Sequence, residues 1–185
     1  SLLNGSIIRG GTQSYSPAQL ALVLDENAIQ LSIAVREEEA VVHLSVLKDD
    51  WQAGLNILQE ILTRPGFDPR VMEVVKTQQL TGLKRQGGNA QAVAARERDI
   101  WHFGGHPYGR DPLGALQTIP GLSRDDLKQF LARYFVPSNM VAAVAGDVGK
   151  AEVRAGLAKF LDALPQTRAP VRKLADPEKT EPVLA

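Results

Sequence analysis

Residues 67–85, FDPRVMEVVKTQQLTGLKR, limit the choice of fold more than any other stretch of this chain. Asp68 before Pro69 marks a helix start, because proline at the first helical position gives up an amide that has no partner there anyway. Val71, Met72, Val75, Gln79, Leu80 and Leu83 then recur at helical spacing, so one face is expected to press on a core. Gly82 interrupts the pattern one turn from its end. Glycine costs a helix roughly 1 kcal/mol against alanine, so Gly82 marks either a close approach or a side chain that is not needed.

The neighbouring segments fall into place around this helix. Leu2, Leu3, Ile7 and Ile8 suit the last turns of a helix stopped by Gly10-Gly11. Ser16-Pro17-Ala18-Gln19 is a helix entrance with Ser16 as cap and Gln19 reaching back, and that helix runs to about Asn27. Ile29, Leu31, Ile33 and Val35 alternate with polar or small residues, and residues 40–47 alternate again after the turn Arg36–Glu39. The two runs predict an antiparallel hairpin. Asp49 or Asp50 caps a helix striped by Trp51, Leu55, Leu58 and Leu62 and ended by Pro65-Gly66.

Beyond a break at residues 86–89, residues 90–103 are expected to be helical, with Val93, Ile100 and Trp101 inward. Residues 104–110, GGHPYGR, read as a structured loop. Ser123 caps a further helix carrying Leu127, Phe130, Leu131 and Tyr134, and Pro137 bars its continuation. Met140–Ala145 is expected to be a short buried strand, followed by a last helix with Val153, Leu157, Phe160 and Leu164. From Pro165 on, prolines 165, 170, 177 and 182 lie among charges, which reads as a linker, with Pro182–Ala185 starting something else. The order predicts one α+β layer domain over residues 1–164 and a linker over 165–185.

Charge and composition remove several functions. With 21 basic and 21 acidic residues the formal net charge is zero, which argues against a nucleic-acid or anionic-membrane surface. The absence of cysteine excludes disulfides and thiolate metal sites. The longest clean apolar run, Met140–Ala145, is far too short to span a bilayer.

Candidate chemistry is thin. His102 and His106 are four apart, yet Gly104 and Gly105 between them break the helix that would align two imidazoles. His43 is alone on a strand face, and Glu37-Glu38-Glu39 suits a solvated hairpin tip. Asp125-Asp126 fits the first turn of a helix, where negative charge suits the dipole. No nucleophile, base and oxyanion donor assemble from the residues alone.

Taken together, RGGTQSYS, FDPRVMEVVKTQQL, HPYGR, SRDDLKQFLARYFVPSNMVAAVAGDV and the final helix resemble the pitrilysin/insulinase family of zinc metallopeptidases over about residues 2–164. The resemblance implies a metallopeptidase-like α+β domain, an antiparallel sheet covered by helices, truncated at its N-terminus and lacking its first strands. Active members carry an inverted zinc motif, H-x-x-E-H, shortly before a Gly-Thr pair, with a further Glu ligand downstream. Anchored on Gly11-Thr12, the two His positions become Leu2 and Ser6, the general-base position becomes Gly5, and the family spacing brings the last ligand to Gly82. The resemblance thus implies a non-catalytic domain with no metal of its own, the zinc belonging to an active partner. It further implies that Gln30, Leu31, Ser32 and Ile33 belong to an edge strand on which a peptide substrate adds.

The leading expectation is an inactive domain or subunit that forms a peptide-binding chamber with a homologous H-x-x-E-H partner. A second is an assembly module of the same fold with no proteolytic role. A third is that the parent polypeptide is itself a peptidase, with its active domain elsewhere. Periplasm is the expected compartment, with cytoplasm as the alternative.

Overall fold

The computed structural model describes residues 2–36 and 38–171. Glu37, most of the expected linker, and the segment Pro182–Ala185 lie outside the described residues. Among the described residues, seven α-helices and one hairpin follow in the order α1 (Leu2–Ser6), α2 (Pro17–Glu26), β1 (Gln30–Val35), β2 (Ala40–Ser45), α3 (Trp51–Thr63), α4 (Pro69–Gly87), α5 (Ala90–Phe103), α6 (Arg124–Tyr134) and α7 (Lys150–Asp162). The strands pair antiparallel, Gln30 opposite Ser45 and Val35 opposite Ala40.

Local chemistry sets the helix starts. Ser16 accepts from the Gln19 amide while the Gln19 side chain takes the Ser16 amide, a reciprocal capping box. Asp68 accepts from the amides of Arg70 and Val71, and Ser123 forms a second box with Asp126. The carboxyl of Asp126 is held below its ordinary value by hydrogen bonds from the Ser123 hydroxyl and backbone amide. Asp50 stands at the α3 cap position without a side-chain cap bond.

One core joins α1, the sheet, α3, α4, α6 and α7 through Leu3, Ile7, Ile33, Ile61, Phe67, Leu131 and Phe160, among others. Burying each large apolar side chain is worth about 1.5–3 kcal/mol. A backbone crossing fixes α4 relative to α1. Gly66 donates to the Gly11 carbonyl at 2.8 Å and Asp68 to the Gly10 carbonyl at 3.0 Å. A Cβ on Gly66 would lie 2.7 Å from the Gly10 carbonyl oxygen, so only glycine lets the two chains cross.

Two expectations are corrected. The apolar residues of α5 do not turn inward: the helix has no buried residue, with Val93, Ile100 and Trp101 all exposed. Periodicity placed them on one side of a helix, but among the described residues no element covers that side. Met140–Ala145 is neither a strand nor buried; Val141 is fully exposed, and no strand of the described residues pairs with the segment.

Candidate functional site

The positions of interest lie on α1, on the face of α4 that it meets, and along β1. Leu2 is 3% exposed and packs in the core, and Ser6 is completely buried. Gly5 lies against Val75 of α4; a Cβ there would come within 2.6 Å of Val75 Cγ1. Gly5 is therefore a close-approach glycine, and side chains on α4 fill the space beside it. Gly82 differs. It is seven residues beyond Val75, about 10 Å further along the helix, and a Cβ added there would meet only Leu113 Cδ1 at 3.8 Å. Of the two readings of Gly82, a side chain that is not needed is the one the geometry supports.

This donor set does not fit a zinc ion. Zinc takes imidazole, thiolate or carboxylate donors, three of them in a catalytic site. Leu2, Gly5 and Gly82 offer no side-chain lone pair, and the only heteroatom is the Ser6 hydroxyl. That oxygen is buried without a hydrogen-bond partner among the described residues, as is Gln79 Oε1 on α4. Among the described residues no group of three or more His, Cys, Asp or Glu is placed to hold a metal. His102 and His106 do not form a ligand pair either. His106 Nδ1 accepts from the Tyr108 amide at 3.3 Å, capping the short turn Pro107–Gly109, and both imidazoles stack edgewise with Phe103 or Tyr108. His43 lies exposed on β2.

The hairpin register shows which groups β1 offers at its open edge. The Arg36 amide donates to the Glu39 carbonyl at the turn, which puts Gln30, Ser32 and Ala34 in hydrogen-bonded pairs with Ser45, His43 and Val41. The main-chain groups of Leu31, Ile33 and Val35 therefore point away from β2. The four edge-strand candidates thus divide: Leu31 and Ile33 have outward donors and acceptors, whereas Gln30 and Ser32 spend theirs on β2. Sequence reasoning missed Asn4, whose Oδ1 accepts the outward Val35 amide at 2.9 Å and ties α1 to the end of this edge. Nothing local signals a contact spanning 31 residues. At the hairpin tip, the Tyr108 hydroxyl donates to the Glu38 carboxylate, while Arg36 pairs with Glu39 at 3.1 Å.

Against known proteins, a family profile described as the peptidase M16 inactive domain matches residues 121–185. The chain is 28% identical to a Helicobacter pylori protein named as a non-peptidase homolog YmxG, over 98% of this chain and 43% of that protein. It is 24% identical to the mitochondrial-processing peptidase subunit beta of Saccharomyces cerevisiae, over 94% of this chain and 37% of that one. Its fold matches the crystal structure of a peptidase M16 inactive domain from Pseudomonas fluorescens with a TM-score of 0.87 at 25% identity, covering 95% of this chain and 43% of that chain. Pitrilysin matches with a TM-score of 0.75 at 18% identity, covering 95% of this chain and 19% of that one. The chain spans about two-fifths of the length of the curated relatives it matches.

Proposed function

The chain belongs to the pitrilysin/insulinase family of zinc metallopeptidases, the peptidase M16 type, as a domain of its non-catalytic kind, and from that premise we propose that it helps to form a peptide-binding chamber with an active H-x-x-E-H partner. The observation that carries the proposal is the donor set. At the positions where the family resemblance puts two imidazoles, a carboxylate ligand and a general base stand Leu2, Ser6, Gly82 and Gly5, and Gly5 is closed over by Val75. In this reading the family's zinc site has been lost here, and the hydrolytic zinc sits in the partner. The peptide adds to the open edge of β1 through Leu31 and Ile33. The compartment proposed is the periplasm.

Testing needs this chain and an H-x-x-E-H-bearing family member from the same genome. Cleavage of a quenched fluorescent peptide is measured for each alone and for the mixture. The chain alone should be inactive with or without added zinc, and should raise kcat/KM of the partner on mixing. Chelator-sensitive cleavage by this chain alone overturns the reading. A second reading, an assembly module without a proteolytic role, is favoured by the Helicobacter pylori relative, itself described as a non-peptidase; a partner whose rate is unchanged on mixing supports it.

A further inference from the structure

The hairpin tip holds three consecutive glutamates, Glu37, Glu38 and Glu39, beside one arginine, Arg36, in a chain of zero net charge. Arg36, Glu38 and Glu39 line an open cavity of about 630 Å³ together with Phe103, from the end of α5, and Tyr108, from the turn after it. The two carboxylates lining it are not equivalent. Glu39 is paired with Arg36 at 3.1 Å, which cancels both charges. Glu38 accepts from the Tyr108 hydroxyl, and among the described residues no cationic group forms an ion pair with it. The Tyr108 hydroxyl therefore fixes this carboxylate in place without neutralising it. The rings of Phe103 and Tyr108 lie 5.6 Å apart at 85°, two walls of a corner. An uncompensated carboxylate beside aromatic faces attracts a cation through both its charge and the ring quadrupole. A guanidinium suits the place better than an ammonium, because its planar face lies on a ring while its edge donates to a carboxylate. An anion is repelled there, and an uncharged side chain gains only the ring contact.

The cavity starts one residue past Val35, the end of β1. We propose that it is a subsite for the side chain of an arginine, carried by the peptide that adds to β1 and lying about three residues beyond the one that pairs with Ile33. The position of that arginine rests on the peptide-binding reading of β1 given above, whereas the preference for a cation rests on the cavity alone. The glutamates at the tip are thus more than a solvated turn.

The test is a titration of the 185-residue chain, followed through the ring resonances of Phe103 and Tyr108 by NMR. The probes are N-acetyl-arginine amide and its citrulline counterpart, which has the same shape and no charge. The arginine probe should bind about fivefold or more tightly than the citrulline one, and added salt should weaken the arginine probe alone. Glu38→Gln keeps an acceptor for the Tyr108 hydroxyl but removes the charge, and should erase the preference. Tyr108→Leu removes a ring wall and should weaken both probes. Equal binding of the two probes, or a preference that survives Glu38→Gln, overturns the subsite. Placement is read by moving a single arginine along a short peptide of otherwise fixed sequence. One favoured position supports it, and affinity independent of position overturns it. None of these measurements involves a peptidase partner, so a chain that fails to accelerate one leaves the cation preference standing, and loss of that preference leaves the chamber reading standing.

Discussion

Helices α3 and α5 are almost the same length, 13 and 14 residues, and both have apolar side chains at helical spacing. Gly54, Leu55, Ile57, Leu58, Ile61 and Leu62 of α3 are buried, against the hairpin, α6 and α7, whereas α5 has no buried residue among those described and leans mainly on α4 and the turn at Pro107–Gly109. An amphipathic pattern therefore specifies which face of a helix seeks cover, while the rest of the chain decides whether cover comes. The two glycines that the family resemblance aligns with the general base and the last ligand repeat the contrast on a smaller scale, Gly5 pressed on Val75 and Gly82 facing open room beside Leu113.

The comparison is broken most directly by truncation. Ile61 is fully buried and Trp101 is 56% exposed. Ile61→Ala should cost about 2–5 kcal/mol by urea unfolding, and Trp101→Ala no more than about 0.5 kcal/mol. Equal costs would mean that α5 is packed in solution. Next comes Gly5→Ala, whose new methyl meets a β-branched neighbour with little room to rotate; a loss of about 1–3 kcal/mol is expected. The capped start of α6 falls between the extremes, and Ser123→Ala should cost about 1 kcal/mol. That change should also flatten an acid limb. The Asp126 carboxyl is lowered in the folded protein, so its contribution is present above the unfolded carboxyl value and is lost as pH falls through the folded one. Stability curves of wild type and Ser123→Ala that stay parallel through that window would remove the carboxyl from the account. Smallest, and opposite in sign, Gly82→Ala should stabilise by up to about 1 kcal/mol, since helix propensity is gained where nothing is displaced. A loss there would show that the room beside Leu113 is not available.

Much of the fold was legible because its signals are short-range. Ser16 with Gln19, Asp68 with Pro69, and Ser123 all start helices where their hydrogen-bonding chemistry says they should, and the hairpin follows its alternation. The failures are non-local. Whether Trp101 or Val141 is covered depends on elements far away in the chain or outside it, and no window of sequence contains that information. The site divides likewise. Leu2, Gly5, Ser6 and Gly82 acquire a meaning only through resemblance to a family, whereas the split between Leu31 and Ser32 needs the strand register.

Asn4 deserves a last consequence. By occupying the amide of Val35, its side chain leaves the outer margin of β1 with two residues, Leu31 and Ile33, still able both to give and to receive a main-chain bond. Those two are about 7 Å apart along a strand. If a peptide adds to this edge as proposed, it would be gripped over one short span and have to peel away before the hairpin tip, with the asparagine as a doorstop that sets how far it can zip.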